Sequence, residues 1–175
     1  MSMPEFSPDY CPECGKKLET RDIEGRDRLW CGNCEEVEWL NPGICAGLVV
    51  EKGGEFLLQK RGIWPRKGKW SVPAGFLELE ETPLEAAKRE TFEETGLEVD
   101  GEPSFVTHFN MENPDGSRVV VAIYKIGYEQ VSGELRPEED EVEELRFWTL
   151  QEILSSSDEL EHGKYVDLFE EIGRN

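Results

Sequence analysis

Between Gly43 and Glu51 the chain reads GICAGLVVE, an almost unbroken apolar run, and this pattern predicts a buried strand. At Glu51-Lys52-Gly53-Gly54-Glu55 the run gives way to two glycines free to take φ > 0, which predicts a hairpin turn. Phe56 to Lys60 reads as the partner strand, and residues 61 to 74, rich in Gly, Pro, Trp and basic side chains, read as a loop. The clearest helix follows. Thr82 is an N-cap, Pro83 fits the first helical position, Glu85 completes a T-x-x-E capping box and Gly96 supplies the stop. Strands are expected near 104 to 111 and 118 to 128, with Asn113-Pro114-Asp115-Gly116 as their turn. Leu145 to Trp148 is a further short strand, and residues 150 to 172 read as helical with a break around Ser155 to Asp158. Strands interspersed with helices predict an α/β or α+β chain.

The first forty residues have a different character. The stretch from about 8 to 38 has few aliphatics and cannot fold on its own apolar core. It carries two CxxC pairs, Cys11/Cys14 and Cys31/Cys34, with sixteen residues between them. Each pair can aim two thiolates at one ion, and two such knuckles complete a tetrahedral zinc site; Gly15 and Gly32 lie where knuckle turns need small residues. Two disulfides are the competing explanation, disfavoured in an intracellular setting. A closed shell of four thiolates leaves no open position, so the expected role is structural. Cys45 lies outside the pattern, in the apolar strand, and reads as a core residue. The ribbon mixes Glu13, Glu19, Asp22, Glu24, Asp27, Glu35, Glu36 and Glu38 with Lys16, Lys17, Arg21, Arg26 and Arg28, which is not a basic nucleic-acid face.

Charge sharpens that exclusion. The 175 residues carry 39 acidic and 19 basic side chains, for a net charge of −20. Such a surface repels nucleic acid. Of the acidic residues 31 are Glu and 8 are Asp; this fits either a highly soluble face or adaptation to high salt. Mean hydropathy is −0.59 and no apolar run approaches the ~20 residues that span a bilayer. The opening MSMPEFSPDY lacks a basic and then apolar leader, so a cytoplasmic protein is expected.

The chemistry concentrates in the helix. Glu90, Glu93 and Glu94 are spaced i, i+3, i+4 and share one face. Like charges so clustered destabilise a helix, and carboxylates near its C-terminus oppose the macrodipole. A divalent cation resolves the conflict, and oxygen-only ligands on an open face suit Mg2+ or Mn2+.

Residues Gly75 to Leu97 resemble a complete Nudix box, G-x5-E-x7-R-E-U-x-E-E-x-G-U with U usually apolar, every fixed position matching and only Thr91 departing mildly from Leu, Ile or Val. The approach Gly68-Lys69-Trp70-Ser71-Val72-Pro73-Ala74 and the stretch at 141 to 148 extend the likeness over about 42 to 155. The resemblance implies an α/β/α sandwich around a mixed sheet (residues 41–175) behind a zinc ribbon (residues 8–40). It implies hydrolysis of a nucleoside diphosphate linked to another group. Carried over, Glu90, Glu93, Glu94 and the Gly75 carbonyl would bind Mg2+ or Mn2+, Arg89 would orient a box carboxylate and Glu81 would brace the loop before the helix. The general base is expected at Glu93, Glu94 or Glu141.

A ribbon before a Nudix domain is similar both to NADH pyrophosphatases and to compact ribbon-bearing enzymes of ADP-ribose or FAD. Residues 98 to 115 lack the Pro- and Trp-rich array of the former, which favours the compact group. The other readings are a zinc-ribbon interaction or ligand-sensing protein with a non-catalytic Nudix domain, and a nucleoside triphosphate house-cleaning pyrophosphatase. Arg61 and Lys60 end a strand near the expected cleft and can meet phosphates. Trp64 can stack on an adenine or flavin ring or anchor its loop. Trp70, Phe109 and Tyr124 are expected to pack, and His108 and His162 carry no expected chemistry. The partner is a small-molecule nucleotide, without nucleic acid or membrane, and the family resemblance allows a homodimer.

Overall fold

The computed structural model describes residues 7–174. The chain forms two compact units, one running up to Pro42 and taking in residues 112–118, the other built from Gly43–Met111 and the chain from Val119 on.

In the first unit β1 (Glu19–Ile23), β2 (Arg26–Cys31) and β3 (Glu36–Glu38) make an antiparallel sheet in that order. Its core is Cys11, Leu18, Leu29 and Cys31, with Cys14, Cys34 and Leu40 against them. The sulfur atoms thus occupy the place where an apolar centre would be. The two knuckles are built alike: Gly15 N donates to Cys11 O at 2.9 Å and Glu35 N to Cys31 O at 2.8 Å. Residues 15 and 35 both turn left-handed, with φ of 68° and 57°. The expected pair of small turn residues is therefore corrected. Gly15 fills its role, but Gly32 takes no left-handed φ, and Glu35 occupies the equivalent position.

The chain continues with β4 (Gly43–Lys52), β5 (Glu55–Arg61), β6 (Trp70–Ser71), β7 (Ala74–Phe76), α1 (Pro83–Thr95), β8 (Leu97–Val99), β9 (Ser104–Glu112), β10 (Arg118–Gly127), β11 (Val131–Gly133), β12 (Val142–Thr149), α2 (Leu150–Ser155) and α3 (Lys164–Ile172). The main sheet runs β12-β5-β4-β10-β9, with β6 on β5 and β7 on β4. It is mixed, because β4 pairs β10 parallel but β5 antiparallel. Alternation along β4 feeds two layers. Ala46, Leu48 and Val50 pack with Leu57, Ala86, Ala87 and Leu97 on the α1 side. Val49, with Cys45 at its edge, joins Phe56, Leu58, Ile153, Leu168, Phe169 and Ile172 on the α2 and α3 side. The result is an α/β/α sandwich, and each fully buried Leu, Ile or Val contributes about 1.5–3 kcal/mol. Among the described residues, no helix is long and apolar enough to cross a membrane.

Three expectations change. The stretch 61 to 74 is not all loop, since it contains β6 and the start of β7. The break expected around Ser155 to Asp158 in the helical run 150 to 172 is present but longer, spanning residues 156–163 between α2 and α3. That gap exists because the backbone there bonds to the sheet instead: Trp70 N donates to Glu159 O at 2.9 Å and Glu161 N to Trp70 O at 2.8 Å. The short strand at 145 to 148 starts earlier, at Val142, along its pairing with β5. Trp70 is buried, Phe109 and Tyr124 pack against the two core layers, and Cys45 is only partly buried.

Candidate active site and the four-cysteine cluster

Helix α1 is fixed at both ends by its own sequence. Thr82 and Glu85 form a complete capping box, and Gly96 ends the helix at φ 76° with its N–H on Phe92 O at 2.8 Å. The buried face is Ala86, Ala87, Thr91, Glu94 and Thr95. Small residues there let the helix lie close to β4. Thr91 fits an apolar position because its hydroxyl is satisfied within the helix, donating to Ala87 O at 2.7 Å.

Arg89 organises the carboxylates. Its Nε and Nη2 donate to the two oxygens of Glu81 at 2.6 and 2.9 Å. Its Nη1 donates to Glu90 at 2.7 Å and Glu93 at 2.8 Å, and Nη2 also reaches Phe76 O at 2.9 Å. The like-charge conflict read from the sequence is thus relieved at Glu90 and Glu93 by one guanidinium fork, which does not reach Glu94. Hydrogen bonding from Arg89 pulls the Glu81 carboxyl down to about 2, and the same bond raises the pKa of Arg89. Glu90 lies beside Gly75 so closely that a Cβ at 75 would overlap its carboxylate. Glu94 is 5% exposed and accepts the Ala74 N–H at 2.8 Å. Burial pushes its pKa up to about 8, against hydrogen bonds from Gln59 and Ala74 that favour the charged form. Burial also raises Glu90.

The acidic run hangs from the end of the same helix. Arg136 N donates to Thr95 O at 2.9 Å and Glu138 N to Glu94 O at 3.4 Å. Gly96 and Gly133 pack backbone to backbone there, each leaving no space for a side chain. Glu141 O accepts the Gly62 N–H at 2.6 Å, and the Glu141 charge raises both Glu90 and Glu138. Glu138, which also senses Glu93, had no distinguishing spacing in the sequence.

Arg61 Nε bonds Pro65 O at 3.1 Å and stands 3.6 Å from Glu161, which Arg66 approaches to 3.8 Å. Arg61 also stabilises the charged form of Glu94, so it belongs to the same cleft. Glu161 is the other member that sequence reasoning missed, since nothing in its neighbourhood forms a motif. Lys60 turns instead to Glu143 at 3.6 Å. Trp64 is 72% exposed, which removes the loop-anchor reading and leaves its ring open to a ligand. His108 is exposed, and the His162 ring accepts Lys164 N at 3.1 Å.

The donor chemistry of Glu90, Glu93, Glu94 and the Gly75 carbonyl is oxygen-only, the kind that suits a hard divalent cation, while the three carboxylates do not all gather within 4.8 Å of one another. Gly75 supports the fit most directly, because only glycine lets the strand backbone approach Glu90. Among the described residues, the only cluster whose ligand atoms all lie within 4.8 Å is Cys11, Cys14, Cys31 and Cys34. Cys11 and Cys34 Sγ are 3.9 Å apart, and Cys14 and Cys31 Sγ 3.5 Å. A tetrahedron with metal–sulfur bonds of 2.3 Å has edges of about 3.8 Å. The four thiols therefore already hold the spacing of such an ion, and none is disulfide-bonded. A backbone N–H bond from Cys34 lowers Cys31 to about 7, while hydrogen bonds from Cys14 and Cys31 raise Cys34 to about 12.

The family model for the NUDIX domain matches residues 39–169. The chain is 32% identical over 116 residues to Phosphatase NudJ of Escherichia coli K12, covering 66% of this chain and 74% of that protein. A NUDIX hydrolase structure from Nitrosomonas europaea superposes with a TM-score of 0.70 at 26% identity, over 94% of this chain and 88% of that one. A MutT NUDIX hydrolase from Burkholderia pseudomallei gives 0.60 at 27% identity, over 64% and 86%. The chain belongs to the Nudix hydrolase family.

Proposed function

We propose that this Nudix hydrolase splits the diphosphate linkage of a nucleoside diphosphate derivative of the ADP-ribose, FAD or NADH type, with Mg2+ or Mn2+. The observation that carries the reading is the seating of Gly75 on Glu90, with Glu93 and Glu94 on the same helix and Arg89 bridging Glu90 and Glu93. A bound divalent cation would neutralise the diphosphate and acidify an attacking water. The Gly75 carbonyl, Glu90, Glu93 and Glu94 would hold it. Arg89 fixes the carboxylates by its fork and stays off the substrate. Arg61 draws a phosphate toward the cleft, and Trp64 offers a ring for the base or flavin to stack on.

Three carboxylates compete for the proton of the attacking water. Glu93 is held by Arg89, and Glu94 by the Ala74 N–H and Gln59. Glu141 is exposed, its backbone is pinned by Gly62, and its charge reaches Glu90. We therefore assign the base to Glu141. The cysteine cluster is assigned a structural zinc, and residues 8–40 and 41–175 the roles of ribbon and catalytic domain.

The test is a panel of ADP-ribose, FAD, NADH, diadenosine polyphosphates and nucleoside triphosphates with each metal. The expected result is cleavage of the first group into two monophosphates. Preference for triphosphates would shift the substrate class. Silence across the panel by folded, metal-supplied protein would replace catalysis with ligand sensing.

A further inference from the structure

The segment between α2 and α3 brings Glu161 to the edge of β6. Glu161 N donates to Trp70 O at 2.8 Å, Trp70 N donates to Glu159 O at 2.9 Å, and Leu160 bridges Trp70 in parallel. Trp70 in turn stands opposite Lys60 of β5. Arg61 ends that strand, its N–H on Lys69 O at 2.9 Å and its carbonyl accepting from Gly68 N at 2.7 Å. The next residue, Gly62, donates to Glu141 O at 2.6 Å, which sets Arg61 beside the acidic run. Backbone pairing therefore fixes both Glu161 and Arg61 before their side chains meet.

Arg61 is anchored along one edge. Its Nε donates to Pro65 O at 3.1 Å and lies 3.6 Å from Oε1 of Glu161. The same oxygen is 3.8 Å from Arg66 Nη1, so one carboxylate serves both ends of the stretch 61–66. Among the described residues neither Nη of Arg61 makes a hydrogen bond, and its side chain keeps 18% of its surface exposed. The end of the guanidinium, whose two Nη groups can grip two oxygens of one phosphate, is thus left for a ligand. Glu161 is only 10% exposed in its side chain, and burying a carboxylate is costly unless it is paired. Its backbone alone makes the pairing with Trp70, which asks for no carboxylate. A negative charge near a diphosphate also repels it, so Glu161 opposes binding unless it places a cation.

We infer that Glu161 is a positioning residue: with the Pro65 carbonyl it holds the Nε edge of Arg61, so that the free Nη end meets a phosphate of the substrate. This rests on the assignment of Arg61 to a phosphate. Glu161 itself touches no substrate.

The test uses the full chain with its cysteine site loaded and Mg2+ present, titrated calorimetrically with methylenediphosphonate, a diphosphate mimic that cannot be hydrolysed. Melting curves are recorded for the same samples. Arg61→Met is expected to weaken binding at least about tenfold, as for a lost hydrogen bond to a charged group. Arg61→Lys keeps the charge but loses the fork, and is expected to weaken binding as well. Glu161→Gln keeps the shape and is expected to weaken binding about threefold or more, as for one modest polar contact. A carboxylate that merely stood near the anion would give the opposite, tighter binding once neutralised. In the Arg61→Met background Glu161→Gln is expected to change nothing, because it acts through Arg61. Unchanged or tighter binding in Glu161→Gln overturns the inference. So does an equal loss in both backgrounds, or a failure of Glu161→Gln to fold, either of which makes the carboxylate structural. A parent that binds no diphosphonate, or binds it no better than Arg61→Met, overturns the phosphate role of Arg61 as well. A parent that needs Arg61 but is indifferent to Glu161→Gln overturns this inference alone.

Discussion

Exchanging Gly75 for alanine adds one methyl group against the Glu90 carboxylate. The backbone accepts it, since Gly75 lies on β7 in register with Ala46 and has no left-handed φ. The space does not: the new Cβ overlaps Cδ and both oxygens of Glu90, and real Cβ contacts below 3.0 Å essentially never occur. Glu90 must yield, because β7 is tied to β4. Swinging it aside breaks its 2.7 Å bond from Arg89. A hydrogen bond to a charged group is worth about 1.5–3 kcal/mol, and side-chain exposures of 27% and 15% leave most of that in force. Restricting the unfolded chain returns about 0.4–1 kcal/mol. The net loss is about 1–2 kcal/mol, or a Tm lower by roughly 2–8 °C for a chain of this size. The effect on activity is far larger, because a ligand moved by about 1 Å costs about 100-fold in rate. Steady-state kcat under saturating Mn2+, beside a melting curve, reads both quantities. Gly163→Ala is the control: its Cβ meets nothing within 4 Å, so kcat and Tm should hold. If Gly75→Ala kept kcat within about threefold of the parent, Glu90 would not work against that strand.

Arg89→Lys keeps the charge but loses the fork that spans Glu81, Glu90, Glu93 and Phe76 O, so kcat should fall at least about tenfold; parental kcat in Arg89→Lys would contradict this geometry. Glu141→Gln should lower kcat by about 100-fold or more if it takes the water's proton, and a drop of only a few-fold would move the role to Glu93 or Glu94. Cys14→Ser should release the ion from the first unit and abolish its dispersed NMR signals, because the remaining core is too small to hold the sheet; a folded, metal-free ribbon would refute the structural role. Burial raises Glu94 to about 8 and moves Glu90 and Glu161 the same way, so the folded chain keeps protons that the unfolded chain releases above its ordinary 4.5. The contribution of these groups to stability is full below pH 4.5 and is lost as pH rises toward 8. Without added divalent cation, Tm should be lower at pH 8.5 than at pH 6, and a rise would reverse the sign of the argument.

The sequence made α1 legible almost residue by residue, because its cap, its stop and its box lie within one local stretch and follow local rules. The hairpin at Gly53-Gly54 was legible for the same reason, and both glycines take φ > 0. What failed was non-local. Whether 156–163 stays helical depends on Trp70, some ninety residues earlier, offering its N–H and C=O. Glu161 entered the cleft by that same pairing, and Glu138 by bonding the last turn of α1, so neither left a periodic or spacing signal. The three-residue pair β8 and β11 was too short to show alternation. The sequence predicts one carboxylate for Arg89 to orient; the number of groups it binds depends on how the loop before α1 folds back.

The backbone contact between Gly96 and Gly133 bears on how such an enzyme can be re-engineered. With no side chain tolerated on either glycine, the turn that finishes the carboxylate helix and the segment that launches the acidic run are one joint. Anyone grafting a foreign loop to change substrate would have to transplant residues 133 to 142 as a single cassette, cut outside the seam. A splice inside it would misplace Glu138 and Glu141 relative to the helix they serve.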